Sequence, residues 1–337
     1  MIRDAEGLSR EIKGFGRYLV SPDALTNAPE TGPAIAQPAR FPKSWKRCGR
    51  SGRGRRPQRK YDAEECEEHK VVSEQPDAGR TPRTRLFFTT ADGLAHAWYE
   101  LGQPGAPGPA IVLQHGFSAT TWHEWIAPGI AAALAGLRRR VIGLDARGHG
   151  RSTASHDPDH YGENRMAHDV VALADHLGLD RYDYLGYSMG GVIGLRLATI
   201  EPRLRRLIVA GIGEAAVLLG GVDRRVLDMA MLAAGLRATD VSGFPPMVRA
   251  FRSGVLSMGN DPLALAAHAD RVASDPIALD TISAPTLLIA GDADPLAVNP
   301  GRLAAAIPNC RLVTVPGDHV AARLCPQFTQ AVLGFLG

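Results

Sequence analysis

Hydrophobic and polar positions divide this chain near residue 84. Beyond it, short apolar runs alternate with longer stretches of helical period. Residues 85–90 and 94–100 flank Ala91-Asp92-Gly93 and read as a hairpin. Residues 110–114 and 140–145 are continuous apolar runs, the pattern of strands buried on both faces. Residues 122–137 have a helical pattern, and residues 166–177 form a helix with Val170, Val171, Leu173, Ala174 and Leu177 on one side. A strand at 182–185, a helix at 191–198 and a strand at 204–210 follow. Strands at 285–290 and 311–315 enclose a helix at 300–307, and a helix at 324–336 closes the chain. Strands alternating with helices predict an α/β protein with a doubly wound, mainly parallel, eight-stranded sheet. One stretch breaks the alternation. Residues 211–283 contain helical patterns at 226–232, 247–256 and 262–272 and no strand. That is too long for a simple crossover, so it predicts a helical lid over about 214–280, inserted after the sixth strand.

Residues 1–83 have a different character. Apolar periodicity is nearly absent, and 17 Lys/Arg against 12 Asp/Glu give this segment a net charge of +5. The rest of the chain carries −2, so the overall +3 belongs to the extension and not to the patterned region. Ten basic and no acidic residues lie between Arg40 and Lys60, and five acidic residues follow between Asp62 and Glu68. Block charge with few apolar groups predicts a disordered extension, 1–83, ahead of a folded domain at 84–337. A solvated tail is favoured over contact with nucleic acid or anionic lipid, because the folded region is itself slightly acidic. A translation start nearer Val71 is a third reading.

Hydrophobic content of 45% in 337 residues suits a packed core, and no apolar run reaches the length of a membrane span. Residues 1–20 have no apolar h-region, so no secretory signal is expected. Cys48, Cys66, Cys310 and Cys325 show no metal-binding or C-x-x-C spacing. Reduced thiols in a cytoplasmic protein are the expectation.

The chemistry concentrates at Gly186-Tyr187-Ser188-Met189-Gly190, a G-x-S-x-G sequence between a predicted strand and a predicted helix. Small residues two positions either side let the chain turn sharply, which lifts the serine hydroxyl clear of the sheet above a helix N-terminus. From about residue 85 onward the chain resembles the α/β-hydrolase superfamily, in its serine-nucleophile branch of esterases, enol-lactonases and haloperoxidase-like enzymes. The resemblance implies a triad in the chain order nucleophile, acid, histidine. Ser188 matches the nucleophile. Gly291-Asp292-Ala293-Asp294-Pro295 is similar to the family's acid loop, which makes Asp294 the acid and Asp292 a turn former. Glu214, after the sixth strand, is the alternative acid. Val315-Pro316-Gly317-Asp318-His319 stands where the family's histidine sits. Gln114-His115-Gly116-Phe117 looks like the family's oxyanion turn, so the amides of Phe117 and Met189 are the expected oxyanion donors. His115 is expected to shape that loop. Asp145-Ala146-Arg147-Gly148-His149-Gly150-Arg151-Ser152 matches a family motif read as a structural glycine turn.

Together these features imply a serine hydrolase that cleaves a small apolar carboxylic ester or lactone through an acyl-enzyme. Trp122, Met231 and Phe251 are candidate substrate contacts. No dinucleotide fingerprint or metal cluster points to a cofactor. Carbon–carbon bond hydrolysis, acyl transfer and cofactor-free perhydrolysis remain open on the same triad, as does a ligand-binding protein of this fold without turnover. The sequence sets no oligomeric state.

Overall fold

The computed structural model describes residues 83–102 and 105–337. The expectations for the N-terminal extension, including its charge blocks, Val71, Cys48 and Cys66, lie outside the described residues. The eight strands are β1 (Arg83–Thr89), β2 (Ala95–Leu101), β3 (Ala110–Gln114), β4 (Val141–Leu144), β5 (Tyr182–Tyr187), β6 (Leu204–Ala210), β7 (Thr286–Gly291) and β8 (Cys310–Val315). They form one sheet in the order β1-β2-β4-β3-β5-β6-β7-β8. β2 pairs antiparallel with β1 and with β4, and every pairing from β4 through β8 is parallel.

Side-chain alternation along the central strands builds a layer on each face. Val112 of β3 joins one layer, with Val170 and Leu173 of α2 (Glu163–His176) and Val192 and Ile193 of α3 (Met189–Ile200). Its neighbours Ile111 and Leu113 join the other layer. There they meet Ile130 and Leu134 of α1 (Ile130–Ala135) and Phe328 and Val332 of α10 (Pro326–Leu336). β3 and β5 are buried along their whole length, an environment that favours apolar side chains. Asp183 is the exception within β5. Its carboxylate is fully buried and neutralised by Arg139 at 2.5 Å and Arg205 at 2.6 Å.

One predicted helix is divided and another starts slightly later than expected. The stretch 122–137 becomes a π-turn at Trp122–Ile126 and then α1, separated by Gly129 in the left-handed region at φ 83°. The C-terminal helix expected over 324–336 is α10, which starts at Pro326; the short α9 (Ala321–Leu324) precedes it and stops there because Pro326 has no N–H to continue the ladder. Between β6 and β7 lie α4 (Ala215–Leu218), α5 (Met229–Arg237), α6 (Pro246–Ser257) and α7 (Pro262–Ala269). This helical insertion has its own apolar core, with Leu232 and Leu236 of α5, Phe251 and Val255 of α6, and Leu265 of α7. α8 (Pro300–Ala306) then connects β7 to β8. Among the described residues no helix is long and apolar enough to cross a membrane.

Candidate active site

Ser188 ends the turn between β5 and α3 with φ 54° and ψ −115°. A non-glycine residue there carries strain of order 1–3 kcal/mol, so neighbouring structure must impose it. Three contacts do so. The Ser188 amide donates to Ala210 O at 2.8 Å, the Val192 amide donates to Ser188 O at 3.1 Å, and the Tyr184 hydroxyl donates to Gly190 O at 2.8 Å. Glycine at 186 and 190 is a spatial necessity. A Cβ on Gly186 would meet Gly190 O at 2.0 Å, and one on Gly190 would meet Gln114 O at 2.2 Å.

His319 follows β8 and reaches back over the sheet. Its Nδ1 lies 2.8 Å and 3.0 Å from the two carboxylate oxygens of Asp294, after β7. The Asp294 side chain is fully buried, and its Oδ1 also accepts from the Leu296 amide at 2.9 Å. Burial alone lowers the His319 pKa. The charge and hydrogen bond of Asp294 outweigh it, with Glu124 adding and Arg323 opposing, so the imidazole titrates above its ordinary 6.5. The histidine loop is pinned by the Tyr187 hydroxyl, which donates to His319 O at 2.7 Å, and by Asp292, whose Oδ1 accepts from the Gly317 amide at 2.8 Å. Glu214 is engaged elsewhere: it accepts from Asn299 Nδ2 at 3.0 Å and from Arg225 at 3.2 Å.

Ser188 and His319 both line a cavity of about 170 Å³ at the carboxyl ends of the strands, together with Phe117 and Met189. Among the described residues, the Phe117 and Met189 amides donate to no backbone or side-chain acceptor. The Phe117 loop packs directly on the serine, since a Cβ on Gly116 would stand 3.3 Å from Ser188 Cβ. Within that loop His115 Nε2 accepts from the Ala146 amide at 3.0 Å, and Asp145 Oδ1 accepts from the Thr121 amide at 2.9 Å. His149 Nε2 accepts from the Ser118 amide at 3.3 Å. All three therefore brace backbone, and none of them lines the cavity.

The helical insertion supplies Val222, Leu227, Met229, Phe251 and Met258 to the cavity wall. Two expected contacts are corrected. Trp122 is 46% exposed and Met231 is 41% exposed, and neither lines the cavity. Met231 points outward because α5 buries Met229, Leu232, Ala233 and Leu236, its opposite stripe. Phe251 does line the cavity.

Sequence reasoning missed several polar residues here. Glu124 is buried beside the serine loop, accepts from the Gly116 amide at 3.1 Å and pairs with Arg323 at 2.8 Å. Asn260 joins the insertion to the sheet loops: its Nδ2 donates to Ser118 O at 2.6 Å and its Oδ1 accepts from the Gly150 amide at 2.7 Å. Glu163 and His268 also line the cavity. For His268 the sequence signal is a polar side chain inside an apolar helical stripe.

Residues 109–218 match the family model of the alpha/beta hydrolase fold. A protein of Pseudomonas savastanoi pv. phaseolicola, provisionally named carbamate hydrolase RutD, is 30% identical over 265 residues, covering 68% of this chain and 95% of the relative. The chain belongs to the α/β-hydrolase fold family. The crystal structure of a hydrolase from Pseudomonas aeruginosa PA01 is 33% identical, with a TM-score of 0.59, and matches 76% of this chain and 99% of its own. Another relative is the dihydrolipoyllysine-residue acetyltransferase component of the acetoin cleaving system of Pseudomonas putida, 37% identical over 124 residues. This hydrolase spans only 31% of that longer protein.

Proposed function

We propose that this hydrolase cleaves a small, largely apolar carboxylic ester or lactone through an acyl-enzyme on Ser188. The observation that carries the reading is a histidine, bonded to the buried Asp294 carboxylate, lining the same cavity as a serine held at φ 54°. In this reading Ser188 Oγ attacks the carbonyl carbon and its proton passes to His319 Nε2. The resulting imidazolium is stabilised by Asp294 and gives that proton to the departing alkoxide. The Phe117 and Met189 amides hold the oxyanion, each contributing roughly 3–4 kcal/mol to transition-state stabilisation. Water then attacks the acyl-enzyme by the same proton route and releases the acid. The helical insertion acts as a lid whose apolar wall selects the acyl group, and Phe251 is its substrate contact.

A carbamate is the second reading, favoured by the relative that this chain covers almost completely. It would be attacked at the same carbonyl position. Carbon–carbon bond hydrolysis, acyl transfer and perhydrolysis share the serine and differ in the bond broken or in the acceptor. The cytoplasmic setting is part of the same proposal. A fluorophosphonate probe tests it: the wild type should label and S188A should not. Undiminished labelling of S188A would contradict it, and a wild type that neither labels nor turns over p-nitrophenyl esters would be a ligand binder.

A further inference from the structure

The end of the cavity formed by α7 and the start of α2 contains two buried polar side chains that the hydrolytic reading leaves without a task. His268, on α7, is 0% exposed, and neither of its ring nitrogens has a hydrogen-bond partner among the described residues. Its ring is held by stacking on Tyr161 at 5.5 Å between centroids and by tilted contact with Phe117 at 5.3 Å. Glu163, the first residue of α2, is 3% exposed. Its Oε2 accepts from the Ala273 amide at 2.6 Å, while its Oε1 stands 3.7 Å from His268 Nε2. That separation is too long for a hydrogen bond. Buried polar atoms are almost always satisfied, so the two unpartnered nitrogens of His268, facing a cavity beside the Glu163 carboxylate, point to an occupant that completes them.

We propose that Glu163 and His268 form a recognition subsite for a neutral hydroxyl on the substrate, away from the carbonyl that Ser188 attacks. This rests on the ester-hydrolase reading and narrows its substrate class to hydroxylated acyl groups. A hydroxyl donates to Glu163 Oε1 and accepts from His268 Nε2–H, so one small group bridges the two side chains. A ketone accepts from the imidazole but offers the carboxylate nothing. A carboxylate is repelled by Glu163. An ammonium would lose its hydration on entering a cavity whose wall includes Val222, Leu227, Met229 and Val272. A site built to hydrogen-bond a hydroxyl discriminates strongly against the analogue that lacks one, because its own polar groups are then left unpaired.

The test compares kcat/KM for a homologous series of ω-hydroxyacyl p-nitrophenyl esters with that for their methyl-terminated counterparts, using the full chain. The wild type should prefer the hydroxylated ester by about tenfold or more at the best chain length. H268F should bring that ratio close to one. E163Q, which keeps an acceptor for the Ala273 amide, should lower it and raise the relative turnover of the ω-carboxyl ester. Melting temperature and the fluorophosphonate labelling rate at Ser188 monitor the folding of each variant, and if H268F does not fold, E163Q decides. A wild-type ratio near one across the series, a ratio unchanged in the folded variants, or a stronger preference for ω-amino esters overturns the subsite while the hydrolase reading stands. If Ser188 neither labels nor turns over, calorimetry decides the subsite alone. Tighter binding of ω-hydroxyhexanoate than of hexanoate supports it, and equal binding overturns it.

Discussion

Asp294→Asn separates the role assigned to this carboxylate from simple packing, because the amide has the same shape. Asp294 Oδ1 accepts from the Leu296 amide at 2.9 Å, and Oδ2 lies 2.8 Å from His319 Nδ1. In the variant the amide oxygen keeps the Leu296 bond, which turns its NH₂ towards the ring. The closer of the two contacts to Nδ1 then comes from a donor, which favours Nδ1 as an acceptor over its 3.0 Å bond to Oδ1, and the ring proton shifts to Nε2, where it blocks uptake of the serine proton. The opposite amide orientation sets two donors against each other in a buried site, at a cost of ~1–3 kcal/mol, and still forfeits stabilisation of the imidazolium. Loss of the correct tautomer lowers turnover by ~10⁴-fold, or ~5.4 kcal/mol in activation free energy. Steady-state hydrolysis of a p-nitrophenyl ester measures this, with circular dichroism to verify the fold. E214Q is the internal control: Glu214 is bonded to Asn299 and Arg225, so its turnover should stay within about threefold of wild type. Retention of activity within tenfold in D294N, or an equal loss in E214Q, would refute the assignment of the acid.

The acid limb of the kcat/KM profile should have its midpoint above 6.5, because Asp294 and Glu124 raise His319 against burial, and in D294N it should fall. The same shift links stability to pH. The folded state binds this proton more tightly than the unfolded chain. The contribution is therefore complete below about pH 6.5 and fades as pH rises through the folded value, and urea midpoints of wild type and D294N across that window should converge at high pH. Gly186→Ala should lower stability by about 3 kcal/mol or more in chemical unfolding, since its Cβ would stand 2.0 Å from Gly190 O. Phe251→Ala should change the ranking of acyl chain lengths, whereas Met231→Ala should leave it as it is, which a p-nitrophenyl ester series measures.

The parts of the fold legible in the sequence are those set by local pattern. β3 matches its apolar run residue for residue, because a strand buried on both faces tolerates almost nothing else, and β6 has the expected bounds. Ser188, Asp294 and His319 sit in short motifs at strand ends, so their loops could be located before any contact was known. What was not legible depends on contacts distant in sequence or on the facing of a helix. Gly129 reads as a tolerable helical glycine until its φ of 83° ends one turn and begins another. Met231 and Met229 are equivalent in composition, and only the packing of α5 against α6 and α7 decides that Met229 faces the cavity. Glu124, Glu163 and His268 look like unremarkable polar residues until folding places them around one cavity.

The central claim is that a covalent acyl group forms on Ser188. The most direct measurement is to quench the protein with acid during turnover of p-nitrophenyl acetate and map the acetyl group by peptide mass spectrometry. The account predicts an acetyl adduct on the Ser188 peptide of the wild type, and no adduct on that peptide in S188A. An adduct confined to another residue, or steady turnover by S188A at the wild-type rate, would contradict it.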